Sequence, residues 1–107
     1  MTVYVDGAMI SASVEHRGRQ IKSKWCHMTA DTKEELISFA QAIGMSAEWF
    51  QTCKRKCGPE GKECIHWHFD LTQSRRAMAV RAGAKEINMH EMSNILTARR
   101  ALQKEDR

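Results

Sequence analysis

The chain contains no apolar run that approaches the length of a membrane span, and its start, Met1-Thr-Val-Tyr-Val-Asp6, lacks a signal-peptide pattern. Both absences argue against a membrane or secreted protein, so the expected compartment is the cytoplasm. Internal repeats and low-complexity tracts are also missing, which leaves one ordinary domain over residues 1–107. There is no Gly-rich phosphate loop, neither G-x-G-x-x-G nor G-K-[ST], so a standard dinucleotide or P-loop mechanism is disfavoured. Nor is the charge strongly of one sign. Seventeen basic against 13 acidic residues give +4 and a pI near 9.0. That mild excess favours an anionic partner such as a nucleotide or nucleic acid, and its alternative is a merely soluble basic surface.

What is present suffices for a core. Hydrophobic residues make up 42% of the chain, too many for disorder, and 107 residues bury a single core without obligatory cross-links. In a cytoplasmic setting the four cysteines read as thiols or metal ligands rather than disulfides.

The most informative stretch is Cys64-Ile-His-Trp-His-Phe-Asp-Leu-Thr72. As a strand it sends Ile65, Trp67, Phe69 and Leu71 to one face and His66, His68 and Asp70 to the other. The following segment, Thr72 to Gly83, predicts a helix capped by Asp70 or Thr72 and stopped by Gly83. Imidazoles, a carboxylate, a helix N-terminus and Arg75/Arg76 are therefore expected to converge.

Elsewhere, Val3-Tyr4-Val5 reads as a buried strand with Asp6 at its C-terminal end, where ligand groups gather in open α/β sheets. The alternative role for Asp6 is to cap a turn. Residues 8–24 show no sustained period and carry Arg17, Arg19, Lys22 and Lys24. They are expected to form a loop or loose hairpin, either solvated without a role or able to fold over an anion. Asp31 with Glu34 predicts the cap of a helix whose stripe is Leu36, Ile37, Phe39, Ala40 and Ile43, ending at Gly44. Ser46 caps a shorter helix carrying Trp49 and Phe50, which read as core anchors or as platforms for a base. Residues 51–64 form a Cys-bearing loop. Ala84 to Asn88 gives another short strand, and Asn88 with Glu91 caps a last helix with a buried stripe of Met92, Ile95, Leu96, Ala98 and Leu102. Arg99, Arg100 and Lys104 fall mostly outside that stripe, and the tail at 103–107 is expected to fray. The order of elements predicts an α/β domain: a small sheet of about three short strands covered by three to four helices.

Three constellations could carry chemistry. Cys53, Cys57, Cys64 and His66 form a Cys3His set suited to structural zinc, which would hold Lys54-Arg55-Lys56 as a basic tip; the alternative is a surface loop with incidental thiols. Asp6, His27, His68 and Asp70 form a polar set fit for general acid–base work or for a catalytic divalent metal. The alternative is hydrogen-bonded structural histidines, with Asp70 as a helix cap. Thr72, Ser74, Arg75 and Arg76 at a helix N-terminus would attract phosphate, unless the arginines are simply solvated.

Val3-Tyr4-Val5-Asp6, Trp25-Cys26-His27-Met28, Ala30-Asp31-Thr32, Glu35-Leu36, Ile43-Gly44, Trp49-Phe50-Gln51, His68-Phe69-Asp70, Arg76-Ala77 and Gly83-Ala84 together resemble a domain-of-unknown-function family, number 4031, of bacteria and their phages. The resemblance runs to about Asn88. It implies a small intracellular α/β domain without an assigned activity, and its polar signature falls on Asp6, His27, His68 and Asp70. Two departures matter. Gly7 stands where the family usually has a second acidic residue, which weakens a two-carboxylate metal site on the first strand. The Cys-bearing loop looks like an insertion, so zinc there would be particular to this branch.

The leading functional expectation is a binding module for a phosphorylated ligand, a nucleotide or a nucleic-acid backbone, through Asp6, His27, His68, Asp70, Thr72, Arg75 and Arg76. The first alternative is a metal-assisted or His-based phosphodiesterase or nucleotide hydrolase using Asp6, His27, His68 and Asp70. The second is a protein–protein adaptor or a phage-encoded inhibitor of a host system, and the last helix could also pair two copies into a homo-oligomer.

Overall fold

The computed structural model describes residues 2–7, 10–16, 18–52 and 64–105. Along them run β1 (Val3–Val5), β2 (Ile10–His16), β3 (Arg19–Ala30), α1 (Lys33–Ala42), β4 (Phe69–Leu71), α2 (Gln73–Arg81), β5 (Lys85–Glu86) and α3 (Met89–Glu105). A single 3-10 turn, Ala47–Trp49, follows a Ser46 cap. The class is α/β, but the sheet has five strands rather than about three.

β3 organises the sheet. Its last residues pair antiparallel with β1, Val5 facing Met28, and with β4, Phe69 facing the same Met28. Those two strands must therefore flank opposite edges of β3. β5 joins β1 in parallel. The first part of β3 pairs with β2, from Ile10 against Trp25 to His16 against Arg19. The loop or loose hairpin expected at 8–24 is thus a regular two-stranded ribbon, turning beside Gly18 at φ +76°. Ile10, Ala12 and Val14 alternate with Ser11, Ser13 and Glu15, a period of two that the small residues and the basic run at 17–24 obscure.

Pleating sends Val3, Val5, Cys26, Met28, Ala30, Phe69 and Leu71 to the buried side, under Leu36 and Ala40 from α1, Ile43 just past its end and Ala79 from α2. Met28, Leu36, Phe69 and Leu71 are fully buried, each contributing about 1.5–3 kcal/mol of transfer free energy. The alternation expected in residues 64–72 holds: Ile65, Trp67, Phe69 and Leu71 are buried, while His66, His68 and Asp70 stay partly open. Only Phe69–Leu71 is ladder-paired strand; His68 joins through an isolated bridge to Gln51.

Three local expectations change. Thr32, not Asp31, caps α1, its hydroxyl accepting from Glu35 N at 3.2 Å. Asp31 instead accepts from Thr2 N and the Tyr4 hydroxyl, pinning the start of β1. Thr72 rather than Asp70 caps α2. In α3, which Asn88 and Glu91 cap reciprocally as expected, Met92 is buried, but Ala98 and Leu102 face solvent. Arg99 takes their place. Its guanidinium lies 3.5 Å over the Trp67 ring and donates to Ile65 O, Ala30 O and the Thr29 hydroxyl. Cys53 and Cys57 of the anticipated zinc set lie outside the described residues.

Candidate functional site

The site begins with an interruption of a β-ladder. Asp6 follows β1 directly and donates its backbone N–H to His27 O at 3.0 Å, as an antiparallel neighbour should. The return bond is unusual. His27 N donates to the Asp6 side chain, Oδ1, at 2.9 Å, leaving the Asp6 carbonyl to accept from Arg76 Nε at 2.9 Å. The fully buried carboxylate thus stands in for a backbone acceptor. Its other oxygen, Oδ2, accepts from His27 Nδ1 at 2.7 Å.

Across β3, His27 pairs with Asp70 of β4. His68, two residues earlier on the same side, meets the His27 ring edge-on with centroids 5.3 Å apart. His68 Nδ1 lies 2.7 Å from His66 O, and Nε2 lies 3.2 Å from Asp70 Oδ1. Asp70 Oδ2 accepts from Gln51 Nε2 at 2.8 Å. Both dyads are partly open, with 32% of the His27 side chain and 24% of the His68 side chain exposed.

The hydrogen-bond partners fix the ring protons. A carboxylate and a carbonyl only accept, so both Nδ1 atoms carry hydrogen. In the neutral rings Nε2 is then the lone-pair nitrogen. At His68 that nitrogen lies 3.2 Å from the Asp70 oxygen. One ligand atom from each of His27, His68 and Asp70 lies within 4.8 Å of the other two.

The electrostatics agree. The Asp6 hydrogen bond holds His27 above its ordinary pKa of 6.5, burial working against this and the charges of Asp6 and Asp70 with it. Burial pushes the Asp70 carboxyl up, but hydrogen bonds from His68 and Gln51 and the nearby imidazoles outweigh it, and the net shift is down. Cys26, buried behind this edge, is pushed up to about 11 by desolvation and by Asp6, so its thiol is protonated at neutral pH.

A family model described as "Protein of unknown function (DUF4031)" matches residues 3–99. The chain belongs to that family. No curated protein and no solved structure matches it. In this DUF4031 chain the match takes in all four residues of the His/Asp cluster.

The other anticipated residues have different surroundings. Thr72 accepts from Arg75 N at 3.4 Å and contacts the Ser74 hydroxyl. Arg75 reaches Ile43 O and lies over the Trp49 ring. Arg76 joins the site from behind, bridging the Asp6 carbonyl to Glu86. Cys64 Sγ accepts from His66 N at 3.2 Å. Among the described residues no helix is long and apolar enough to cross a membrane. Sequence reasoning missed Gln51 as the partner of Asp70, although Trp49-Phe50-Gln51 marked the segment. It also missed the His66 carbonyl, for which no side-chain signal exists.

Proposed function

We propose that this domain is a metal-assisted hydrolase of phosphate esters, with His27, His68 and Asp70 holding a divalent transition metal and Asp6 orienting His27. The observation that carries this reading is the pair of imidazoles with Nδ1 tied back to acceptors, one ligand atom from each ring and from Asp70 lying within 4.8 Å of the others. An imidazole that ligates a metal characteristically donates its other N–H to a carboxylate or carbonyl. Two imidazoles and one carboxylate suit Zn²⁺, Mn²⁺ or Fe²⁺ better than Mg²⁺ or Ca²⁺, which prefer oxygen throughout. Three protein ligands also leave positions for water and substrate, the arrangement of a catalytic rather than a structural site. When bound, such a metal lowers the pKa of its water toward neutrality and polarises a phosphoryl oxygen. The protein's own part is to fix ring orientation through Asp6 and the His66 carbonyl and to keep Asp70 ionised through Gln51.

A hydrolase is preferred to a phosphate-binding pocket built on Arg75 and Arg76 because both guanidiniums have intramolecular partners. Arg75 is engaged by Trp49 and Ile43. Arg76 is held between Asp6 and Glu86, with only 17% of its side chain exposed. The net positive charge of +4 supports an anionic substrate.

The test is Co²⁺ titration of chelator-stripped protein carrying Cys53→Ser, Cys57→Ser and Cys64→Ser, which removes the competing thiolates, followed by turnover of an activated phosphodiester. One equivalent of nitrogen/oxygen-ligated Co²⁺ and metal-dependent turnover, both lost in His68→Ala, are expected. Absence of binding discards the reading.

A further inference from the structure

We propose that the β2–β3 ribbon is a DNA-binding arm that enters the major groove of a B-form duplex. The ribbon pairs seven residues of β2 with β3, which at roughly 3.3 Å per residue makes it about 20 Å long. Within the sheet, β2 has no strand partner other than β3 among the described residues. Residues 10–25 hold Arg17, Arg19, Lys22 and Lys24 against Glu15 alone, a net +3 out of the chain's +4. The arm is therefore a locally basic element of the chain.

Placement adds to composition. Arg19, Lys22 and Lys24 are exposed, and none of them forms a salt bridge among the described residues. Strand alternation sends Lys22 and Lys24 to one face of the ribbon and Arg19 to the other. Cations on both faces of a thin ribbon fit a groove walled by two phosphate backbones better than a flat acidic surface, which would meet only one face. A B-DNA major groove, roughly 12 Å wide, admits a two-stranded ribbon, whereas the deep, narrow major groove of A-form RNA does not. β3 runs on without a break from Trp25 to His27, and Arg19 falls on the same face of the strand as His27. Naming DNA as the substrate of that cluster rests on the hydrolase reading; DNA binding by the arm does not.

The experiment is fluorescence anisotropy with a labelled mixed-sequence DNA duplex at several salt concentrations, using the full chain, the Arg19→Ala/Lys22→Ala/Lys24→Ala variant, and an RNA duplex of equal length. The expected result is DNA binding that exceeds RNA binding. In the triple variant affinity falls and the slope of log K against log salt drops by about one unit per cation removed. Single reversals, Lys22→Glu and Lys24→Glu, give the same direction if the triple variant does not fold. Restoration of binding in Arg19→Lys/Lys22→Arg/Lys24→Arg separates a charge effect from a lost structural contact. Equal binding of RNA, unchanged affinity in the triple variant, or loss only on replacing Lys54, Arg55 and Lys56 overturns the proposal. His68→Ala keeps DNA binding while losing hydrolysis. DNA binding by a full chain that hydrolyses nothing would sink the hydrolase reading and leave the arm standing.

Discussion

Replacing Asp6 by Asn separates the two jobs of its carboxylate. Oδ1 accepts the His27 backbone N–H at 2.9 Å and Oδ2 accepts Nδ1 at 2.7 Å, from a fully buried position. An asparagine keeps its oxygen on the backbone N–H but turns NH₂ toward the ring. His27 Nδ1 must then accept, so the proton moves to Nε2 and the outward lone pair disappears. A charge-assisted bond worth roughly 1.5–3 kcal/mol becomes a neutral one of roughly 0.5–1.5 kcal/mol, so the fold should lose only about 1–2 kcal/mol. Metal affinity should fall by about 10–100-fold, the usual consequence of removing a ligand's orienting partner. Asp6→Ala strands the His27 N–H as well, and the destabilisation should rise to about 3–5 kcal/mol. Urea unfolding reads the stabilities, and nitrogen-15 shifts of the imidazole read the tautomer. An Asp6→Asn protein that keeps hydrogen on His27 Nδ1 and binds metal as before would refute this reasoning.

The remaining expectations are briefer. His27 has a folded pKa above 6.5, so its pairing with Asp6 contributes its full stabilisation below that value. The contribution is lost as pH rises through the folded pKa, and urea midpoints of metal-free protein should fall across that window, a slope that His27→Gln removes. Asp70 is shifted down from its ordinary 3.8; its contribution is present above that value and disappears as pH drops through the folded pKa, as Asp70→Asn should reveal by losing this acid limb. Arg99→Ala removes bonds to Ile65 O, Ala30 O and the Thr29 hydroxyl together with the stack on Trp67, at about 2–4 kcal/mol by urea unfolding. Arg99→Lys should recover little, because an ammonium has neither the planar fork nor the stacking face. Cys26, buried with a pKa of about 11, should resist alkylation in folded protein at neutral pH, as site-resolved mass spectrometry would register.

The parts of the fold visible in the sequence are those where one face is buried and the other is not. Residues 64–72 alternate because Ile65, Trp67, Phe69 and Leu71 must reach the core. α1 shows its stripe for the same reason, and Asn88 with Glu91 caps α3 through short-range bonds that need no tertiary knowledge. The β2–β3 ribbon carries only a weak period of two, Ile10, Ala12 and Val14 against Ser11, Ser13 and Glu15, which small residues and the basic run at 17–24 obscure. Asp31 and Thr32 are both competent caps, and the choice between them is made by Thr2 and Tyr4, 29 and 27 residues away from Asp31. Arg99 looked like a solvent residue because only the folded chain brings Trp67 beneath it.

At the site, the i, i+2 spacing of His68 and Asp70 and the pairing of two strands were enough to gather four residues. The use of the Asp6 carboxylate as a ladder acceptor was not, since it depends on Arg76 claiming the Asp6 carbonyl. The same holds for the ring protons, which are set in part by a backbone oxygen of His66.

The central claim is that His27, His68 and Asp70 converge on a cation through Nε2, Nε2 and a carboxylate oxygen. Anomalous diffraction from crystals of the protein grown with Zn²⁺ or Mn²⁺ tests it most directly. The account predicts an anomalous peak at bonding distance from those three atoms, with His27 Nδ1 still on Asp6. A peak only among the cysteines, or none between the two imidazoles at saturating metal, would contradict it.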